Sequence, residues 1–190
     1  LIDTGGKLVN YNDNIDKLTR LLSDTFMGEG LTREIKRAER YKRPLTFLLI
    51  DPGIPEDKFH MVGYLALKKL AGIVRNLTRY LDIKIRLKNR ILVLLPETER
   101  EGGLRVAIKI KAMLDKVRFL EFPEIIPEGN VAIASFPEDG VDKNSIMLSL
   151  EQDLGIPLME KLPAGFEKQV NLDEVAHAEQ NEMDDDEVYS

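Results

Sequence analysis

Residues 83–96 constrain the fold more than any other stretch of the chain. Ile83, Ile85 and Leu87 alternate with Lys84, Arg86 and Lys88, and Arg90-Ile91-Leu92-Val93-Leu94-Leu95-Pro96 follows almost at once. Alternation marks a half-buried strand, a short unbroken apolar run marks a second strand, and the polar residues between them make a tight turn. A hairpin is antiparallel by construction, so an all-parallel doubly wound sheet does not fit this chain.

The flanking segments supply the rest. Thr46-Phe47-Leu48-Leu49-Ile50 is a continuous apolar run that suits a strand covered on both faces, and Asn130–Phe136 reads as a further strand. Helical spacing predicts helices over Leu31–Tyr41, Tyr64–Tyr80, Glu99–Val117 and Ile146–Leu154. Thr98 with Glu101 three residues on reads as a capping box for the third of these. Ahead of them, Ile15, Leu18 and Leu22 recur at helical spacing and predict an amphipathic helix from Asp13 to Phe26. The element order is that of an α+β fold: one mixed or antiparallel sheet with helices packed on it.

Charge divides the chain. Residues 173–190 hold eight acids and no Lys or Arg, and without them 27 basic residues face 25 acidic ones. The net charge of -6 therefore belongs to the C-terminal segment, and the body is nearly neutral. We expect residues 1–27 to be a lead-in with a signalling-type helix, residues 28–162 to be the folded domain, and residues 163–190 to be an acidic, disordered tail. The helix at 31–41 is strongly basic and reads as a solvated face. With no Trp and few aromatics, nothing calls for a nucleic-acid partner. No apolar run reaches the roughly 18 residues of a membrane span. The absence of Cys removes disulfides, thiolate metal sites and Cys nucleophiles, and suits a reducing cytoplasm. With His60 and His177 as the only histidines, a multi-His metal site is excluded. No metal or cofactor is expected.

Five phrases in order resemble the GGDEF family, the diguanylate cyclases that make cyclic di-GMP from two GTP. They are Ile35–Asp51, Leu67–Ala71, Arg79–Asp82, Ile91–Thr98 and Ala132–Gly140. The resemblance covers roughly residues 24–150 and implies a nucleotidyl-cyclase palm-like fold. It does not carry the family's catalytic residues. The signature Gly-Gly-(Asp/Glu)-Glu-Phe belongs in the hairpin turn, where this chain has Leu87-Lys88-Asn89-Arg90-Ile91, without glycine or acid. The pair Gly102-Gly103 falls instead in the first turn of the next helix. Of the family's Asp-x-Asp after the first strand, Asp51 remains and Gly53 stands in the second place. Two-metal phosphoryl transfer needs acidic ligands around the triphosphate. The resemblance therefore implies a degenerate member without cyclase activity, with Asp51 as a turn-capping residue.

One family feature is kept. Many cyclases bind their product at an Arg-x-x-Asp motif five residues before the signature, and Arg79-Tyr80-Leu81-Asp82 holds that offset. The family's second arginine, from the following helix, falls on Lys109. The resemblance thus implies a cyclic di-GMP receptor using Arg79, Asp82 and Lys109. The alternative is a non-enzymatic scaffold that binds no nucleotide, in which Arg79 and Asp82 merely close the helix before the hairpin. In either case the helix at 13–26 is expected to pair in a homodimer or dock a protein partner, or else to fold back on its own domain.

Overall fold

The computed structural model describes residues 14–166 and Val170. Four strands, β1 (Leu45–Asp51), β2 (Ile83–Leu87), β3 (Arg90–Pro96) and β4 (Asn130–Phe136), form one antiparallel sheet in the order β2-β3-β1-β4. Four helices cover it: α1 (Glu29–Tyr41), α2 (Phe59–Leu77), α3 (Arg100–Leu114) and α4 (Lys143–Leu154).

Side-chain alternation sorts the strands into two cores. Leu48 and Ile50 of β1, Ile91, Val93 and Leu95 of β3, and Val131 and Ile133 of β4 face α2 and α3. Their chain neighbours Phe47, Leu49, Leu92, Leu94, Ala132 and Ala134 face α1 and α4. Because both faces are covered, the central strands carry no polar alternation, which is why β1 reads as an unbroken apolar run. Burying a Leu or Phe side chain contributes about 2 kcal/mol, so these central residues dominate the stability. In the first turn of α3, a Cβ on Gly103 would lie 2.4 Å from the Thr46 side chain. Gly103 thus lets α3 approach β1 closely, a packing role unrelated to nucleotide binding.

The helix expected from Asp13 to Phe26 is not formed over the described residues of that stretch. Only Asp24–Met27 makes a short 3-10 turn. Asp16 is the physical reason. Its carboxylate accepts the Thr19 backbone N–H at 2.8 Å and the Thr19 hydroxyl at 2.7 Å, while its own N–H reaches the Leu21 carbonyl. Such local side-chain bonds compete with helix formation. Arg20 adopts a left-handed φ of 58°, and Leu22 bridges the outer edge of β2 through Leu22 N–H to the Lys84 carbonyl and Arg86 N–H to the Leu22 carbonyl. Leu21 is buried against the α2–α3 side and Leu22 packs on the other. Leu22 of the expected stripe, bridged in turn by Ile15, therefore covers the domain's own sheet edge.

Three further boundaries differ. α2 starts at Phe59 and stops at Leu77, where Thr78 turns extended, so Arg79 and Asp82 lie in the turn after the helix. The capping box at Thr98 is absent: Glu99 is the N-cap without a side-chain bond, and the Thr98 hydroxyl donates to the Pro96 carbonyl. A capping box exists instead at α4, between Asp142 and Ser145. At the C-terminal side, Leu158, Phe166 and Val170 are buried in the α2–α3 core, so the fold runs past the expected boundary at 162. The remainder of the expected tail lies outside the described residues.

Candidate functional site

Two polar corners flank the β2–β3 hairpin. The first is at the C-terminal end of β1. The Asp51 carboxylate accepts the Gly53 N–H at 2.8 Å and Arg90 Nε at 2.7 Å, and Arg90 reaches Glu151 of α4 at 2.8 Å with its other nitrogen. Burial would lower the Arg90 pKa, but its bonds and charge attraction to Asp51 and Glu151 outweigh this and raise it. The guanidinium closes one wall of a cavity of about 540 Å³, which Leu49, Ile54, Phe59 and Leu87 line with apolar surface. Gly53 has a φ of +69°, and a Cβ there would stand 2.1 Å from the Glu128 backbone. Gly53 is required by close backbone approach, and an acid cannot be accommodated there without moving the 128–129 segment. Among the described residues, no group of three or more His, Cys, Asp or Glu is placed to hold a metal ion.

The second corner is the turn from Arg79 to Asp82. The Asp82 carboxylate accepts the Arg79 N–H at 2.6 Å, and the Asp82 N–H returns to the Arg79 carbonyl at 3.1 Å. Lys84 Nζ donates to that same carbonyl at 2.6 Å. On the sheet, Lys84 pairs with Val93 and so faces the α2–α3 side. There Arg75 of α2 donates to the Thr19 carbonyl at 2.7 Å. Burial pushes the Asp82 carboxyl up, against the Arg79 bond and the attraction of Lys84 and Arg79. Burial likewise pushes the Lys84 ammonium down; Asp82 opposes this and the Arg75 charge adds to it. The corner therefore sets Arg79 and Lys84 against one buried carboxylate, with the Arg75 charge acting on Lys84. Arg79 itself is exposed, and its guanidinium makes no ion pair among the described residues. Such a cationic excess attracts anions.

The family model described as diguanylate cyclase, GGDEF domain, matches residues 13–154. The chain belongs to the GGDEF family. Solved GGDEF domains share its fold. That of TpbB, also called YfiN, from Pseudomonas aeruginosa is 23% identical, with a TM-score of 0.63 over 77% of this chain and 89% of that one. The DgcB domain from Caulobacter crescentus, solved in complex with c-di-GMP, is 14% identical, with a TM-score of 0.65 over 78% of this chain and 91% of that one. The FimX domain from Pseudomonas aeruginosa is also 14% identical, with a TM-score of 0.65 over 77% and 94%. No curated protein matches the chain in sequence. The antiparallel sheet with its helices is the palm-like α+β fold of these domains.

Of the three site residues expected from the sequence, the GGDEF domain joins Arg79 and Asp82 in one turn. Lys109 lies half-buried on α3, and the cations that act on Asp82 are Lys84 and Arg79. Sequence reasoning passed over Lys84 and Arg75. The β2 alternation already placed Lys84 opposite Ile83 and Ile85, but only the sheet register shows which helix that face meets. Because Asp82 caps the turn, Asp82→Ala should leave the Arg79 N–H without its acceptor and cost about 1–2 kcal/mol. Asp82→Asn keeps an acceptor oxygen and removes a buried charge, so it should cost much less. The raised folded-state pKa means that the cost of ionising Asp82 grows as pH rises through it. Urea denaturation at neutral pH separates the two variants, and equal losses would refute the capping role.

Proposed function

We propose that this GGDEF domain is a non-catalytic receptor for cyclic di-GMP, with Arg79 as its principal ligand contact. The observation that carries the reading is the corner where Arg79 and Lys84 meet Asp82, in which the exposed Arg79 guanidinium stands on a turn already fixed by hydrogen bonds. Cyclic di-GMP is a dianion with guanine edges, and a planar guanidinium can fork onto either phosphate or guanine. The c-di-GMP complex of the similar DgcB domain supports a ligand of this class on this fold. In this reading Lys84, rather than Lys109, supplies the second cation.

Loss of catalysis is argued from the other corner. With Ile91 on the signature's Phe position, Arg90 stands where the family has an acid, and its guanidinium is already paired with Asp51 and Glu151. A fixed internal cation supports a pocket but cannot move with a triphosphate or activate a hydroxyl as Mg²⁺ does. Gly53 lacks the second acid and the space for one.

One observation favours the scaffold reading, in which no nucleotide binds: Asp82 is buried and already accepts the Arg79 N–H, which limits what it can offer guanine. A binding series by equilibrium dialysis with labelled cyclic di-GMP decides between the two. Lys84→Ala should weaken binding about three- to tenfold and Lys109→Ala should change it far less. No binding by the unmodified chain favours the scaffold, and equal effects of the two substitutions overturn the choice of Lys84 over Lys109. Incubation with GTP and Mg²⁺ or Mn²⁺ should yield no cyclic di-GMP, and turnover that Asp51→Asn abolishes would overturn the non-catalytic reading.

A further inference from the structure

We propose that the exposed basic face of α1 is the docking surface for the chain's own acidic segment, residues 173–190. Arg33, Lys36, Arg37 and Arg40 follow one another at i, i+3, i+4 and i+7, so they share one side of the helix. α1 turns Leu31, Ile35 and Ala38 into the core and leaves all four cations exposed. Lys42 and Arg43 extend the stripe, and only Glu34 and Glu39 oppose it between residues 33 and 43.

Most of this charge is uncompensated within the folded domain. Arg37 lies 3.7 Å from Glu34, and Arg40 stacks over the Tyr41 ring at 5.6 Å. Among the described residues, no carboxylate pairs with Arg33, Lys36, Lys42 or Arg43. The hairpin, the chain's other basic region, differs. There Arg86 is held by Asp16 at 2.8 Å, Arg90 by Asp51 and Glu151, and Lys84 by the Arg79 carbonyl. An acidic segment therefore finds more uncompensated positive charge on α1 than on the hairpin.

Residues 173–190 match that need, with eight acids, no Lys or Arg, and the run Asp184-Asp185-Asp186-Glu187. The tether is long enough. Val170 is anchored in the α2–α3 core, on the side of the sheet away from α1. From there to Asp184 the extended chain spans roughly 46 Å. A domain of this size is about 40 Å across, so a path over its surface to the far side is at most roughly 60 Å, within the roughly 66 Å of extended chain from Val170 to Ser190. Tethering also raises the local concentration to the millimolar range, well above any free acidic partner. The hollow of about 730 Å³ beyond the C-terminal end of the stripe carries Glu39, Glu99, Glu101 and Glu138 beside Lys42 and Arg43, so the acidic run stays on the stripe itself. Docked there, the segment neutralises α1 and keeps other polyanions from it.

The chain has no Cys, so a donor and an acceptor dye can be placed on Thr32→Cys and Ser190→Cys of the full chain without competing thiols. Energy transfer should be efficient at low ionic strength and fall at least threefold in about 0.5 M NaCl, where the Debye length shrinks to a few ångström. It should be low at every salt concentration in the set D184N, D185N, D186N and E187Q, and in the set R33Q, K36Q, R37Q and R40Q. Circular dichroism checks the fold of the second set, and the first set leaves the described domain untouched. Transfer indifferent to salt or to the acidic set overturns the docking. Transfer that responds to the acidic set but survives the α1 set places the segment elsewhere and also overturns it. Transfer between separately labelled molecules assigns the segment to a second copy and overturns the intramolecular contact.

Discussion

Asp153→Ala is expected to lower the unfolding free energy by about 3 kcal/mol, the cost of leaving one partner of a buried pair uncompensated. Lys161 Nζ donates to the Asp153 carboxylate and carbonyl at 2.8 Å each and to the Val131 carbonyl at 3.1 Å, and only 9% of its side chain is exposed. The same carboxylate oxygen accepts the Ile133 N–H at 2.8 Å. Asn130 completes the clasp, donating to the Leu154 and Ile156 carbonyls and accepting the Leu158 N–H. These bonds satisfy and cover the free edge of β4, which would otherwise be open to pairing with another chain. Urea denaturation at neutral pH measures the loss. A cost below about 1 kcal/mol would show that the pair behaves as a surface ion pair, and that the segment after α4 is a loose appendage.

Arg90→Glu should be nearly as costly, about 2 kcal/mol after allowing for the partial exposure of the corner. It replaces the cation that joins Asp51 and Glu151 with a third carboxylate. Like charges so close raise one another's pKa, so the variant should regain stability as pH falls through the raised values, whereas the wild type carries no such cluster. Millimolar Mg²⁺ should raise the melting temperature of the variant and leave that of the wild type nearly unchanged, because only the variant offers a cation an open acidic site. Equal melting temperatures for both proteins, with no response to Mg²⁺, would mean that Arg90 does not hold this corner together.

The strands were legible because burial on two faces writes a simple signal. The expected Asn130–Phe136 matches β4, and the apolar runs at 46–50 and 91–95 fall within β1 and β3. The hairpin and the helices after it followed from period alone. The segment before α1 was misread because Ile15, Leu18 and Leu22 fit a helix equally well as a short edge-covering loop. What decides between them is the Asp16–Thr19 bond and the free edge of β2, and the edge is a property of the finished sheet. The same limit applies to the ligand corner. Arg79 and Asp82 are three apart and could be found together in sequence, whereas the face on which Lys84 meets the Arg75 charge follows only from sheet register and helix docking. The internal cation at Asp51 is another contact of that kind. Its replacement of an acid was visible at Arg90, but not the ion pair with Glu151 from α4, 61 residues away in the chain.

The receptor reading meets its most direct test in a calorimetric titration of cyclic di-GMP into the unmodified chain, repeated with Arg79→Ala. The account predicts saturable heat from the wild type, an affinity that weakens with added salt, and at least a tenfold loss in the variant, equivalent to about 1.5–3 kcal/mol of charge-assisted bonding. No heat at about 100 µM ligand, or an Arg79→Ala variant that binds as tightly as the wild type, would contradict it.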